Sequence, residues 1–362
     1  MKKKILMVCE SFGGGVFSYV SQLCNDMVEE FDIYLAYAIR PQTPDNYKEF
    51  LDDRIKLIEI KKFGNLKNLI NDVKAIRVLR KIEKKINPDI IHLHSSIAGG
   101  IGRIAFADKN NVIYTPHGYS FILMGNNTKK GKAYELMEKI LGKTKAMTLT
   151  CCKSEDEVAK KICKKTAYIE TGVNLNDLSE SLNNISPKKN KRFTVYTLGR
   201  ICTQKQPEIF NKIAELVPEA DFLWIGNGEL ENKLTSPNIK ITGWKPRKEA
   251  LEIAKGADVY ILCSKGEAVA MSLIENMYMK KLCIVSNVMG NKSVIRNEQN
   301  GYICEEAEDY AERIKKAMES FPSEIAQNAY NDVLSIYNTE VMKNKYIKFY
   351  NDFIGGKYEI KK

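Results

Sequence analysis

The chain has 362 residues, more than one hydrophobic core usually serves, and its 44% apolar and 28% charged composition is that of a globular protein and excludes a disordered one. Its first apolar run, Ile5 to Cys9, is too short for a signal peptide or a membrane span, and no later stretch reaches about 20 apolar residues, so a cytoplasmic protein is expected. The net charge of +11 points to an anionic partner; with no recognition helix, RNA-binding signature or finger spacing beside the lysines, phosphorylated substrates and an anionic membrane surface rank above nucleic acid.

Both halves alternate short β-branched runs with longer helical patterns, the signature of an α/β fold with parallel sheets. Strands are expected at 4–9, 33–37, 55–59, 90–93, 112–115, 146–150 and 166–169. Helices at 16–29 and 66–86 lie between them. The second carries Lys67, Lys74, Arg77, Arg80, Lys81, Lys84 and Lys85, either as the solvated face of a core helix or as a contact with a membrane surface. From Asn176 to Arg192 the composition turns to Asn, Ser, Pro and Lys without apolar periodicity, which reads as a linker. Strands then resume at 193–198, 221–225, 239–241, 259–263 and 282–286. The restart implies two doubly wound, Rossmann-like domains, 1–178 and 192–339, joined by 179–191 and facing an inter-domain cleft. An aromatic helix at about 333–353 is expected to end the chain, with its last part, from about 340, packing back on the first domain.

The nine cysteines include no C-x-x-C pair, so neither a zinc site nor a redox pair is indicated. Cys9, Cys263 and Cys283 sit inside strand-like runs, where a thiol behaves as a small hydrophobe.

Four loops carry candidate chemistry. Phe12-Gly13-Gly14-Gly15 follows the first strand and opens a helix, so backbone can approach an anion closely; it lacks both the G-x-G-x-x-G spacing and the P-loop lysine. Thr115-Pro116-His117-Gly118 puts one of three histidines at a strand end, while His92 and His94 share one face of another strand with no carboxylate cluster to complete a metal site. Leu198-Gly199-Arg200 with Lys205 places two cations beyond a strand, where they could clamp a diphosphate without magnesium. In Gly266-Glu267-Ala268-Val269-Ala270-Met271-Ser272-Leu273-Ile274-Glu275, a helix beginning near Met271 leaves Glu267 in the loop and Glu275 one turn inside, two acceptors suited to sugar hydroxyls.

Together with Pro88-Asp89-Ile90-Ile91-His92, Thr171-Gly172-Val173, Trp224-Ile225-Gly226-Asn227-Gly228-Glu229, Thr242-Gly243-Trp244 and Asn300-Gly301-Tyr302, these loops resemble, in order and over nearly the whole chain, the family 4 glycosyltransferases, retaining enzymes of the GT-B fold. The likeness extends to those that build capsular, exopolysaccharide or O-antigen chains. It implies that Arg200 and Lys205 hold a donor diphosphate, Glu275 the ribose hydroxyls and Glu267 the transferred sugar. His117 would lie beside the sugar or leaving phosphate. Gly14 and Gly15 would cover the diphosphate, and Gly226 with the loop at Ala270, Met271 and Ser272 would complete the donor site. The chain departs from the family in having Ala268 and Ala270 for glycines and Met289 for the first of two glycines before Asn291, which narrows the loops facing the donor sugar.

The expected reaction is thus metal-independent transfer from a nucleotide sugar, UDP being the default base, to a glycan acceptor, polyprenyl-diphosphate-linked at the inner membrane surface. No cofactor beyond that co-substrate is expected. A nucleotide-sugar epimerase shares the architecture, and a scaffold that binds the nucleotide sugar without turnover is the non-catalytic alternative.

Overall fold

The computed structural model describes residues 1–61, 63, 69–123, 128–185 and 190–358. The chain forms two compact units, Met1–Glu170 with Thr339–Lys362, and Thr171–Asn338. No described helix is long and apolar enough to cross a membrane.

The first unit contains β1 (Lys3–Cys9), α1 (Gly14–Met27), β2 (Phe31–Tyr37), β3 (Lys56–Glu59), α2 (Leu69–Ile86), β4 (Ile90–His94), α3 (Ser96–Ala105) and β5 (Val112–Thr115). It continues with α4 (Ser120–Leu123), α5 (Lys129–Leu141), β6 (Met147–Thr150), α6 (Lys153–Ile162) and β7 (Thr166–Tyr168). The strands make one parallel sheet in the order β3-β2-β1-β4-β5-β6-β7. Strand β4 is buried along its whole length because helices cover both faces of the sheet, as parallel sheets require. The start of the expected basic helix, at 66–68, lies outside the described residues; from Leu69 onward Ala75, Leu79 and Ile86 face the core and the lysines and arginines face solvent.

The second unit contains α7 (Leu175–Asn183), β8 (Thr194–Leu198), α8 (Pro207–Leu216), β9 (Asp221–Ile225), β10 (Ile239–Ile241), α9 (Arg247–Gly256) and β11 (Val259–Leu262). Then come α10 (Met271–Tyr278), β12 (Leu282–Ser286), α11 (Met289–Val294), β13 (Tyr302–Cys304), α12 (Ala307–Glu319) and α13 (Ser323–Ser335). Its parallel sheet runs β10-β9-β8-β11-β12-β13.

Two boundaries differ from those expected. The first unit yields to the second after Glu170 rather than at 178, and the segment expected as linker begins with α7, whose Leu178 and Leu182 are buried in the second unit's core. Residues 186–189 of that segment lie outside the described residues. The aromatic helix expected at 333–353 is two helices. Asn338 Nδ2 donates to the carbonyls of Val333 and Leu334, which satisfies the exposed end of α13. Helix α14 (Thr339–Ile354) then returns to the first unit, burying Met342, Tyr346, Phe349 and Tyr350 beside α1.

Candidate active site

Strand order reverses between β1 and β4 in the first sheet and between β8 and β11 in the second. At such reversals the loops beyond the strand ends diverge and leave a crevice for ligands. The candidate residues emerge beside these two points, and each unit carries its own set.

In the second unit, β8 leads into Gly199 and the exposed Arg200, and β9 leads into Gly226. The two turns are locked together. Gly199 N donates to Ile225 O, Ile201 N to Asn227 O, and Trp224 Nε1 to Gly199 O at 2.9 Å. Gly226 has φ +143°, and a Cβ there would stand 2.1 Å from Gly199 O. That close backbone approach accounts for a glycine at 226 without any ligand. Among the described residues Arg200 pairs with Glu229 alone, at 4.0 Å, and both side chains are exposed.

Lys205 ends a short 3₁₀ turn that is fastened to the loop after β11: Gln204 Nε2 donates to Gly266 O and Lys265 N to Gln204 O, both at 2.8 Å. This tie brings Lys205 Nζ to 2.7 Å from Glu267 Oε1. Lys205 is therefore not a lone diphosphate clamp, because its charge is already shared with the carboxylate expected to meet the sugar. The Glu267 loop is held from behind, where Gly290 N donates to Glu267 O and a Cβ at Gly290 would meet Ala268 O at 1.9 Å. Met289 can thus replace a glycine, whereas position 290 cannot be widened without moving that loop.

Helix α10 starts at Met271 after Ala270, and no side chain caps its first turn. Its first amides form a partial positive charge beside Glu267 and Lys205, an anion site in waiting. Ser272 Oγ is engaged by Tyr260 OH at 2.9 Å, so its hydroxyl is already committed within the second unit. Glu275 lies one turn in, its side chain only 18% exposed. Burial raises its carboxyl above the usual range and Arg247 opposes the rise. Arg247 bridges two acids, donating to Glu275 Oε1 at 2.9 Å and pairing with Asp177 Oδ2 at 3.0 Å.

Three residues before Arg247, Trp244 is 71% exposed, following Gly243 at φ +71°. A bridge between Gly226 and Gly243 ties this turn to the end of β9. An indole exposed to water is a platform for a flat ligand. The sequence marks Trp244 as a strand end but gives neither it nor Arg247 a role. The available signal was the bulky aromatic directly after a positive-φ glycine.

In the first unit, Gly14 and Gly15 open α1 at the end of β1, exposed, with nothing within 4 Å of a Cβ built on either. Gly14 needs its φ of +55°, whereas a side chain at Gly15 would meet neither a steric nor a conformational obstacle among the described residues.

His117 also has positive φ, +54°, and both its ring nitrogens are engaged: Nε2 lies 3.0 Å from His94 Nδ1, and Nδ1 lies 3.4 Å from Cys151 Sγ. Tyr19 meets the ring edge-on at 4.7 Å. Burial lowers the His117 pKa to about 3, so the ring is neutral and reaches a substrate oxygen only by giving up one of these bonds. Glu155, at the start of α6, sets the loop: its two oxygens accept from Gly118 N at 2.8 Å and from Cys151 N at 3.0 Å. Burial pushes the Glu155 carboxyl up to about 7. Behind His117, His92 is packing rather than ligand. It bonds Tyr350 OH and Thr115 Oγ1, each at 2.8 Å, which anchors α14 to the sheet. His94 Nε2 is buried and has no hydrogen-bond partner among the described residues. Glu155 and the tyrosines of α14 were not singled out in the sequence, since nothing local distinguishes a buried acid on a lysine-rich helix.

Among the described residues no group of three or more His, Cys, Asp or Glu is arranged to hold a metal ion. A groove of about 600 Å³ lined by Arg192, Asp221 and Ser236 lies at the opposite, amino ends of β9 and β10, away from Glu267 and Glu275.

Residues 13–177 match the family described as Glycosyltransferase Family 4, and residues 179–332 that described as Glycosyl transferases group 1. The chain is 31% identical over 311 residues to UDP-Gal:alpha-D-GlcNAc-diphosphoundecaprenol alpha-1,3-galactosyltransferase of Escherichia coli, across 76% of this chain and 77% of that one. It is 25% identical over 316 residues to the O-antigen biosynthesis glycosyltransferase WbnH of Escherichia coli, across 85% and 88%. Its fold is similar to that of the solved sucrose-phosphate synthase of Thermosynechococcus elongatus, with a TM-score of 0.82 at 16% identity over 98% of this chain and 100% of that one. With two parallel-sheet units, both family matches and a relative at 31% identity, the chain belongs to the family 4 glycosyltransferases of GT-B fold.

Proposed function

We propose that the protein transfers a sugar, with retention and without a metal, from a UDP-sugar to a polyprenyl-diphosphate-linked glycan during cell-surface polysaccharide assembly. One observation carries the donor half: Lys205, Glu267, the uncapped start of α10 and Glu275 converge where the second sheet reverses. The acceptor half extends to this chain what the galactosyltransferase relative's name states of that protein, a UDP-Gal donor and a lipid-diphosphate-linked GlcNAc acceptor.

In this reading the donor diphosphate lies against the first amides of α10, with Lys205 and Arg200 supplying the positive charge that magnesium supplies in other enzymes. Glu275 accepts from the ribose hydroxyls after Arg247 swings away, and Trp244 stacks on the base. Glu267, paired with Lys205, accepts from hydroxyls of the transferred sugar. The bond from the anomeric carbon to the diphosphate oxygen breaks as the acceptor oxygen bonds to the same face. The acceptor proton passes to the departing phosphate, so no nucleophilic carboxylate is needed. Catalysis is then mainly positioning and stabilisation of a cationic sugar centre. The family resemblance is what assigns His117 to the sugar side; its ring is held by His94 and Cys151.

The direct test is transfer from a panel of UDP-sugars to a short-chain prenyl diphosphate GlcNAc in EDTA, with the product anomer read by NMR. A product of retained configuration is expected. Activity only with added divalent metal would remove the charge roles of Lys205 and Arg200, and an inverted product would remove the same-face mechanism.

A further inference from the structure

Helix α5 turns Gly131, Glu138 and Leu141 inward, and Glu138 is committed to buried Arg103 at 2.7 Å. At 100° per residue, Leu136 and Ile140 then fall on the opposite side, one turn apart, and they are 60% and 58% exposed. They rim a groove of about 540 Å³ shared with the end of α6 and lined also by Lys143, Lys161, Lys164 and Lys139, the last paired with Glu135 at 2.6 Å. Residues 129–165 carry eleven lysines against five acids, and three of those acids, Glu138, Glu155 and Asp156, are buried. Exposed aliphatics ringed by cations are what an interfacial surface presents: carbon enters the acyl boundary while ammonium groups meet headgroup phosphates.

We propose that this α5–α6 face docks the first unit on an anionic phospholipid bilayer. Charge selects that occupant. A second copy of the chain would oppose lysine to lysine, and a nucleic acid would leave Leu136 and Ile140 without a partner of their kind. Helix α2, the basic helix singled out in the sequence, is the weaker surface, because among its described side chains Val78 is the exposed large apolar one. The proposal rests on the functional reading only in that a lipid-linked acceptor is met at such a surface.

The test is co-sedimentation of the full chain with vesicles of phosphatidylcholine alone and of phosphatidylcholine with phosphatidylglycerol, at low and high salt. Binding is expected only to the anionic vesicles and is lost at high salt. Leu136→Gln/Ile140→Gln and Lys139→Glu/Lys143→Glu should each lower the partition coefficient about tenfold or more, and Lys81→Glu/Lys84→Glu on α2 by less than about threefold. UDP affinity by calorimetry should be unchanged in all three, which certifies folding and separates this surface from the donor site. No binding of wild type to anionic vesicles, or a larger loss from the α2 pair than from either α5 pair, overturns the proposal. So does a wild-type dimer in light scattering that Leu136→Gln/Ile140→Gln dissociates.

Discussion

Lys205 Nζ lies 2.7 Å from Glu267 Oε1, and both side chains are largely withdrawn from water at the carboxyl ends of β8 and β11. A pair so placed is neutral overall, and removing either partner leaves the other charge uncompensated. An arriving diphosphate would add negative charge beside Glu267, and Lys205 between them is what makes that tolerable. Lys205→Met is therefore expected to weaken UDP binding about tenfold or more. Glu267→Gln, which frees the lysine, should leave UDP binding equal or tighter while lowering kcat about 10²-fold. Calorimetry with UDP and steady-state transfer rates check both; parallel losses of UDP affinity would show that Glu267 only positions the lysine.

Arg247 is paired with Glu275, the carboxylate proposed to take the ribose hydroxyls, and Trp244, three residues before Arg247 in the chain, is exposed. Stacking a base on an indole contributes about 1–3 kcal/mol. Trp244→Ala should weaken UDP binding by that amount and Trp244→Phe by less. The chain has two tryptophans, and Trp224 is buried, so UDP should quench wild-type fluorescence. Quenching that persists in Trp244→Phe would place the base elsewhere.

Two glycines predict opposite outcomes. Gly226→Ala sets a methyl 2.1 Å from a backbone oxygen at φ +143°, and a loss of about 2–4 kcal/mol in urea unfolding is expected. Gly15→Ala meets nothing within 4 Å at an ordinary helical φ and should fold at least as stably. If Gly15 is glycine for the ligand's sake, transfer falls nonetheless. Full activity in Gly15→Ala would remove it from the donor site.

Glu155 holds its proton to about pH 7 in the folded protein, against about 4.5 when unfolded. Between those values the folded state binds more protons, so the Glu155 contribution to stability is greatest below pH 4.5 and declines as pH rises through the window. Buried His92, His94 and His117, whose pKa values are lowered, act in the opposite sense but cancel when wild type is compared with Glu155→Gln. The stability of wild type minus that of Glu155→Gln should fall by about 2 kcal/mol from pH 5 to pH 7.5. A flat difference would mean that the amides of Gly118 and Cys151 keep this carboxyl ionised throughout.

The loops at strand ends were legible because a β-branched run followed by glycine or a charge is a local pattern. Strands β9, β10 and β12 have the bounds read from sequence, and α10 begins at Met271 as its loop implied. Strand β13 was missed, since three residues after Asn300-Gly301 are too few for a period to show. The break before α14 was missed because Ile336 and Tyr337 continue the apolar pattern; Asn338 stops the helix through its own side chain. The pairings that shape the site join residues far apart in sequence: Lys205 with Glu267, Arg247 with Glu275, His92 with Tyr350. Sheet order brings those partners together, and no local spacing encodes it. The leucines of α7 were hidden in the same way, by the polar residues around them.

The most direct measurement is calorimetric binding of UDP-, GDP- and ADP-sugars in EDTA to wild type and Glu275→Ala. The account predicts micromolar binding of a UDP-sugar by wild type, weakened at least about tenfold, or 1.4 kcal/mol, by the substitution. Wild type that binds no nucleotide sugar, or binds only once magnesium is added, would contradict a metal-independent donor site built from Lys205, Glu267, α10 and Glu275.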